Sequence, residues 1–358
     1  MYTITRFMRK ITLAFLLVGC LSTQISAQLD IHFSQFYAAP LTLNPAMTGV
    51  MNCQQRIGVN YRNQWASVLR DKAFQTVNAE FDGKATVGRY DYFGYGLDLF
   101  TDQAGSLNFR NSDINGSFSY AKRMGGYRDR ASYLVAGARV GLANHAVNIQ
   151  DAHWGSQNDA GSFNPNLPSG EPSFGRDNFL FLDISAGVMW FSVFDANNNF
   201  FIGAAYDHLN RPNVSFTGGA LAVTKPLDSK ITIHAGGEFK TNDRISLLPG
   251  IVTFFQGKSM EVNGGTSVRF LMGSSKRSNE ALQFGAWTRI ANRFDSGVLV
   301  DAIILSTRFD YNDTSIGFSY DINMSQLKAA SNGNGGFEFS LIYKFCGRES
   351  RDVYCPNF

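Results

Sequence analysis

The chain has little charge. Asp, Glu, Lys and Arg make up 17% of its 358 residues, against about 25% in an average soluble domain. The formal net charge is only +3, and no dense Lys/Arg run lies beyond the first residues, which disfavours nucleic acid as a partner. Long apolar runs are missing too: none reaches the roughly 20 residues that a membrane-spanning helix needs. Catalytic and metal-binding spacings are also lacking. His32, His145, His153, His208 and His234 are scattered, with no HExxH pair and no GxSxG nucleophile. Asp310-Tyr311-Asn312-Asp313 resembles half a calcium loop but has neither the Gly nor the closing Glu at the required spacing, and it reads as a turn. No catalytic, cofactor-binding or metal-binding residue is therefore assigned, and the chain is read as a non-enzyme.

Glycine and aromatic residues are plentiful: 35 Gly, 31 Phe and 14 Tyr, in a chain whose mean hydropathy is only −0.14. Alternating strands with one face on lipid and the other on water give this balance, although a soluble β-sandwich fits the same numbers. The alternation is visible directly. From Gln55, Ile57, Val59 and Tyr61 alternate with Arg56, Gly58, Asn60 and Arg62. From Ser132, Leu134, Ala136, Ala138, Val140 and Leu142 alternate with Tyr133, Val135, Gly137, Arg139 and Gly141, which places Arg139 on a glycine-bearing face read as a barrel interior. Ile231 to Phe239 and Phe337 to Phe345 repeat the pattern. The segments amount to about 14 strands of bilayer-crossing length, an even number, and predict an all-β, antiparallel transmembrane barrel of the outer membrane. Asp82-Gly83 is read as a turn, and Pro249 as the site of a bulge.

The loops divide by length. With both termini periplasmic, the short connections near Asp195, Thr241 and Phe309 fall on the periplasmic side, and the long ones, 151–175, 209–229 and 324–336, fall outside. The loop 151–175 is the longest stretch without strand pattern, and such loops are commonly functional. Trp154 and Phe163 within it are candidate anchors for a partner, aromatic side chains being favoured hot spots; the same residues are equally suited to plugging the mouth. A barrel of about 14 strands leaves a lumen between the filled eight-stranded kind and the open channels of 16 to 18 strands, too narrow for a folded protein.

At the N-terminus, Arg6, Arg9 and Lys10 precede the apolar run Ile11 to Gly19, as in a secretory signal peptide. Cleavage after Ala27 defines a leader, 1–27; the alternative is a lipidated Cys20 in Leu17-Val18-Gly19-Cys20. The remaining parts are a periplasmic N-terminal segment, 28–52, the barrel, 53–346, and a periplasmic tail, 347–358. The mature chain keeps Cys53, Cys346 and Cys355. Barrel closure brings the start of the first strand beside the end of the last, which pairs Cys53 with either Cys346 or Cys355; a local Cys346–Cys355 bridge is the competing arrangement.

One stretch resembles a known family. The run from His32 to Gly49, HFSQFYAAPLTLNPAMTG, followed by Cys53 and by YRNQW at 61–65, is similar to the start of the PorP/SprF membrane proteins of the type IX secretion system. The long loop, DHLNRPN at 207–213 and Cys355-Pro356 extend the likeness over the mature chain. The resemblance implies an outer-membrane barrel, without catalytic residues, that serves secretion or surface attachment of proteins with a C-terminal sorting domain, gliding adhesins among them. Its implied partners are such cargo, periplasmic components of the same system and outer-membrane lipid. The competing function is a porin-like passive channel for small solutes.

Overall fold

We describe a computed structural model of the chain, covering residues 30, 32–126, 130–159, 161–170, 176–195, 198–217, 224–272, 280–292, 297–346 and 355–356. The leader and Cys20 lie outside the described residues. The alternating segments form β1 (Gln55–Gln64), β2 (Phe74–Val87), β3 (Asp91–Ala104), β4 (Phe109–Gly125) and β5 (Ala131–Ala146). A two-residue pair, β6 (Asn158–Asp159) and β7 (Ser162–Phe163), stands in the long loop. Then come β8 (Asn178–Asp195), β9 (Asn198–Asp207), β10 (Lys230–Asn242), β11 (Ile245–Gln256) and β12 (Ser259–Leu271). The chain finishes with β13 (Ala281–Asn292), β14 (Val298–Tyr311), β15 (Thr314–Asn323) and β16 (Asn334–Phe345).

All but β6 and β7 join one closed sheet in which each strand lies antiparallel to its sequence neighbour. β16 returns to β1, with Gln55 opposite Phe345 and Gln64 opposite Gly336. Fourteen strands close the barrel, and closure removes the unpaired edges that lipid would not tolerate.

The barrel is inside out relative to a soluble domain. Ile57, Val59, Val77, Leu97, Leu99, Leu142, Leu182, Val188, Leu305 and Leu341 are exposed on its outer wall. Arg56, Asn60, Arg62, Glu80, Asp82, Arg289, Asp321 and Glu338 are buried on the inner one. The period-2 side-chain alternation of a strand is the cause: one residue in two meets hydrocarbon, and the next turns to the polar interior.

Two local expectations differ from the structure. Asp82-Gly83 is not a turn; β2 runs through it to Val87, because Asp82 faces inward and pairs with Arg56 (2.8 Å). Pro249 makes no bulge. Gly236 opposes Gly250 and Phe239 opposes Leu247, so no residue is inserted, and the ladder to β12 is continuous through Pro249–Thr266.

By the strand order, β5, β9 and β15 end at the same end of the barrel, where their long connections begin, and β8, β10 and β14 end at the other, where short connections follow. At the short-turn end a disulfide joins Cys53 to Cys346, whose Cα atoms are 4.4 Å apart. Cys355 is buried near the same end, with its Sγ 3.9 Å from the Tyr92 hydroxyl and its amide donating to Asn52 Oδ1 (2.7 Å). Part of the tail thus folds against the barrel instead of extending from it.

Candidate functional site: the filled lumen and the long-loop end

Of the segment read from sequence as periplasmic, 28–52, the described residues 30 and 32–52 run through the barrel. Asp30 is at the long-loop end, where Gln256 Oε1 accepts from its amide (2.6 Å) and its carboxylate meets His208 (2.6 Å). From there the chain runs through three short helical turns, Phe36–Ala38, Pro40–Leu43 and Pro45–Met47, to Cys53 at the opposite end. A segment with Pro40, Asn44 and Pro45 cannot add a strand to the sheet, and its backbone groups need partners that lipid cannot provide. The lumen wall supplies them.

Glu338 accepts from the amides of Ser34 (2.6 Å) and Gln35 (2.8 Å), and Arg62 lies 3.0 Å from the same carboxylate. Arg289 joins this group through Asp321 and the Ser34 hydroxyl. Further along, Asn60 donates to Ala38 O (3.1 Å) and Arg139 to Leu41 O (3.3 Å). Asn44 caps the third turn by accepting from the Ala46 amide (2.8 Å), while its amide group reaches Val188 O, Ala204 O and His234 Nε2. Asp82 receives the Gly49 amide (2.8 Å), Ser119 donates to Thr48 O (2.6 Å) and Lys84 to Met51 O (2.8 Å). Apolar contacts fill the gaps: the Trp287 ring packs 5.5 Å from that of Phe36 and 5.8 Å from that of Tyr37.

Two inward-facing glycines make room. A Cβ at Gly94 would strike the Thr48 carbonyl, and one at Gly137 would strike the backbone of Pro45. The glycine-bearing face read as the interior is therefore the inner wall, and Arg139 is on it, 9% exposed and 2.9 Å from Asp207.

At the long-loop end, both ring nitrogens of His208 face carboxylates, Nδ1 to Asp183 (2.8 Å) and Nε2 to Asp30 (2.6 Å). Burial disfavours a charged imidazole, but its hydrogen bonds to the Asp183 and Asp30 carboxylates outweigh it and push the His208 pKa up to about 10. Burial likewise raises the Asp30 carboxyl, yet the Lys230 charge and the His208 hydrogen bond hold it well below the usual range. The pair clamps the beginning of the plug to the rim.

The long loops above it are connected. Arg176 donates to Ser215 O (3.0 Å) and lies over the Phe179 ring, which packs 5.0 Å from Phe216. Trp154 opens a short turn at Gly155–Gln157 and is half-buried. Phe163 is exposed and stacks on His153 at 3.8 Å. The two aromatic residues singled out from sequence thus sit on one loop, and the N-terminal segment occupies the lumen. Among the described residues no group of three or more His, Cys, Asp or Glu is placed to hold a metal ion. Sequence reasoning missed Glu338, Asp321 and Arg289 as plug contacts; their signal was the presence of ionisable residues on strand faces opposite the apolar ones.

A family model described as type IX secretion system membrane protein PorP/SprF matches residues 25–343. The chain belongs to the PorP/SprF family. It is an outer-membrane protein by that membership and by its closed, lipid-facing barrel. No curated protein matches it. Among solved structures, it is similar to the CymD monoaromatic hydrocarbon channel (13% identity, 91% of this chain and 96% of that one, TM-score 0.45). The toluene transporter TbuX of Ralstonia pickettii is similar at 11% identity, over 86% and 94%, with a TM-score of 0.44. CdiB of Acinetobacter baumannii is similar at 8% identity and a TM-score of 0.41, and this chain spans only 60% of its length. The PorP/SprF assignment gives the general role, a membrane component of type IX secretion.

Proposed function

We propose that this PorP/SprF protein is a plugged anchor: it holds secreted sorting-domain cargo, such as a gliding adhesin, at the cell surface through its long loops and provides no passage itself. The carrying observation is the occupied lumen, in which residues 32–51 are buried or half-buried and hydrogen-bonded to the wall. A segment whose backbone amides are held by buried wall carboxylates is not a mobile gate, since withdrawing the donors leaves a buried charged acceptor unsatisfied, which is costly. Binding at the loop platform, with Trp154 and Phe163 as cargo contacts, is then the favoured reading, with no catalytic residue in it. The opposite rim, with Cys53, Cys346 and Cys355, faces periplasmic components of the same system. A tagged protein purified from solubilised outer membranes is expected to retain a large protein with a C-terminal sorting domain, and deletion of 151–175 to release it. Undiminished recovery of cargo by the deletion variant would reject the loops as its holder.

A further inference from the structure

Between plug and wall at the long-loop end lies a cavity of about 100 Å³ that no part of the anchoring reading uses. Strand register builds it. Asp98 of β3, Asn115 of β4 and Asp183 of β8 share one row across the inner wall, with Gly141 of β5 between them. Phe100, Asp113, Ala143 and Phe181 form the next row toward the mouth. One side of the cavity is therefore acidic and amide-bearing, and the other aromatic.

The cations at its edge are already engaged. Arg139 pairs with Asp207, Lys230 lies between Asp30 (3.4 Å) and Asp207 (3.6 Å), and His208 bridges Asp30 and Asp183. Asp98 and Asp113 have no ion-pair partner among the described residues. Asp98 is 1% exposed; Asn115 donates to its Oδ2 (2.9 Å), and its Oδ1 has no hydrogen-bond partner. Asp113 Oδ1 and Asn111 Oδ1, which line the same cavity, also have none. Buried acceptors without donors are costly, and three around one space define what would fit it.

We propose that this cavity binds an organic cation, an ammonium or guanidinium group on a short aliphatic stem. The head would donate to Asp98, Asp113 and Asn111, and the stem would lie against Phe100 and Phe181, where an aromatic face also favours a cation. The volume holds roughly three waters at about 30 Å³ each, enough for one ammonium or guanidinium head and too little for a sugar or a folded domain. The ligand is either a free amine or the lysine or arginine side chain of a protein. The proposal does not depend on the anchoring reading.

The test is calorimetric titration of the purified full-length barrel in detergent with three probes: agmatine, a five-residue alanine peptide with a central arginine, and neutral 1-pentanol. Saturable binding of agmatine or the peptide and none of 1-pentanol is expected. Agmatine binding alone assigns a free amine; peptide binding at least as tight assigns a protein side chain. Asp98→Asn should weaken binding at least about tenfold, the loss of one charge-assisted hydrogen bond, while Asp243→Asn in an exposed turn should leave it unchanged. No saturable binding of either cation, binding of 1-pentanol equal to that of agmatine, or undiminished binding by a folded Asp98→Asn variant would overturn the proposal. If that variant fails to fold, the comparison of agmatine with 1-pentanol on the unaltered protein decides.

Discussion

Glu338→Ala tests whether the plug is held by the wall or merely enclosed by it. Glu338 is 2% exposed and accepts from two plug amides, Ser34 at 2.6 Å and Gln35 at 2.8 Å. Hydrogen bonds to a charged group contribute about 1.5 to 3 kcal/mol each, so the substitution removes about 3 to 6 kcal/mol from this part of the plug. Arg62 keeps His32 O (2.6 Å) and Gln64 (3.0 Å) as partners, which limits the further cost of its lost carboxylate. The barrel itself loses no ladder bond. Hydrogen exchange followed by mass spectrometry on the peptide containing Ser34 and Gln35 reads the effect directly, because protection reports the free energy of local opening. Exchange there should accelerate by about 10² to 10⁴, at about 1.4 kcal/mol per decade, while peptides from β4 and β5 stay protected. Glu338→Gln, which retains one acceptor oxygen, should fall between the two. An acceleration below tenfold for Glu338→Ala would refute the argument that the Glu338 contacts hold the segment.

Two further outcomes follow from the same architecture. In planar bilayers the intact protein should be silent, and a folded variant lacking residues 32–49 should conduct steadily; steady conductance by the intact protein would favour a solute channel instead. The His208 clamp gives a pH dependence. Its pKa is raised from 6.5 to about 10, so its stabilising contribution is fully present below 6.5 and is lost as pH rises through 10. Asp30 is depressed from 3.8, so its contribution is present above that value and is lost as pH falls below it. Thermal unfolding in detergent should therefore show a plateau between about pH 4 and 6.5 and a decline toward pH 10 that His208→Gln removes; an unaltered alkaline decline in that variant would refute the assignment.

Much of the barrel was legible in the chain itself. A strand's side chains alternate between faces, so Ile57, Val59 and Tyr61 against Arg56, Asn60 and Arg62 declare both the strand and its two environments before any partner is known. The strand number and the division of loops by length follow from repeating that reading. The turn assigned to Asp82-Gly83 failed because composition marks a turn only where no tertiary partner competes, and Asp82 has Arg56 and the Gly49 amide. Pro249 failed as a bulge because the ladder passes it without an inserted residue.

The plug was not legible. Residues 32–52 carry no strand period, and their short turns satisfy few of their own backbone groups, so sequence left them as an extended segment outside the barrel. Their place is fixed by complementarity that exists only once the wall has closed: Asn60, Asp82, Ser119 and Glu338 come from four different strands, the first and the last of the barrel among them, and converge on the plug. The same holds for the acidic cavity, where Asp98 and Asp113 are ordinary inward positions until register sets them beside Phe100 and Phe181. Local periodicity determined the barrel because each strand carries its own pattern; the occupancy of the lumen was decided by tertiary structure because no single segment encodes it.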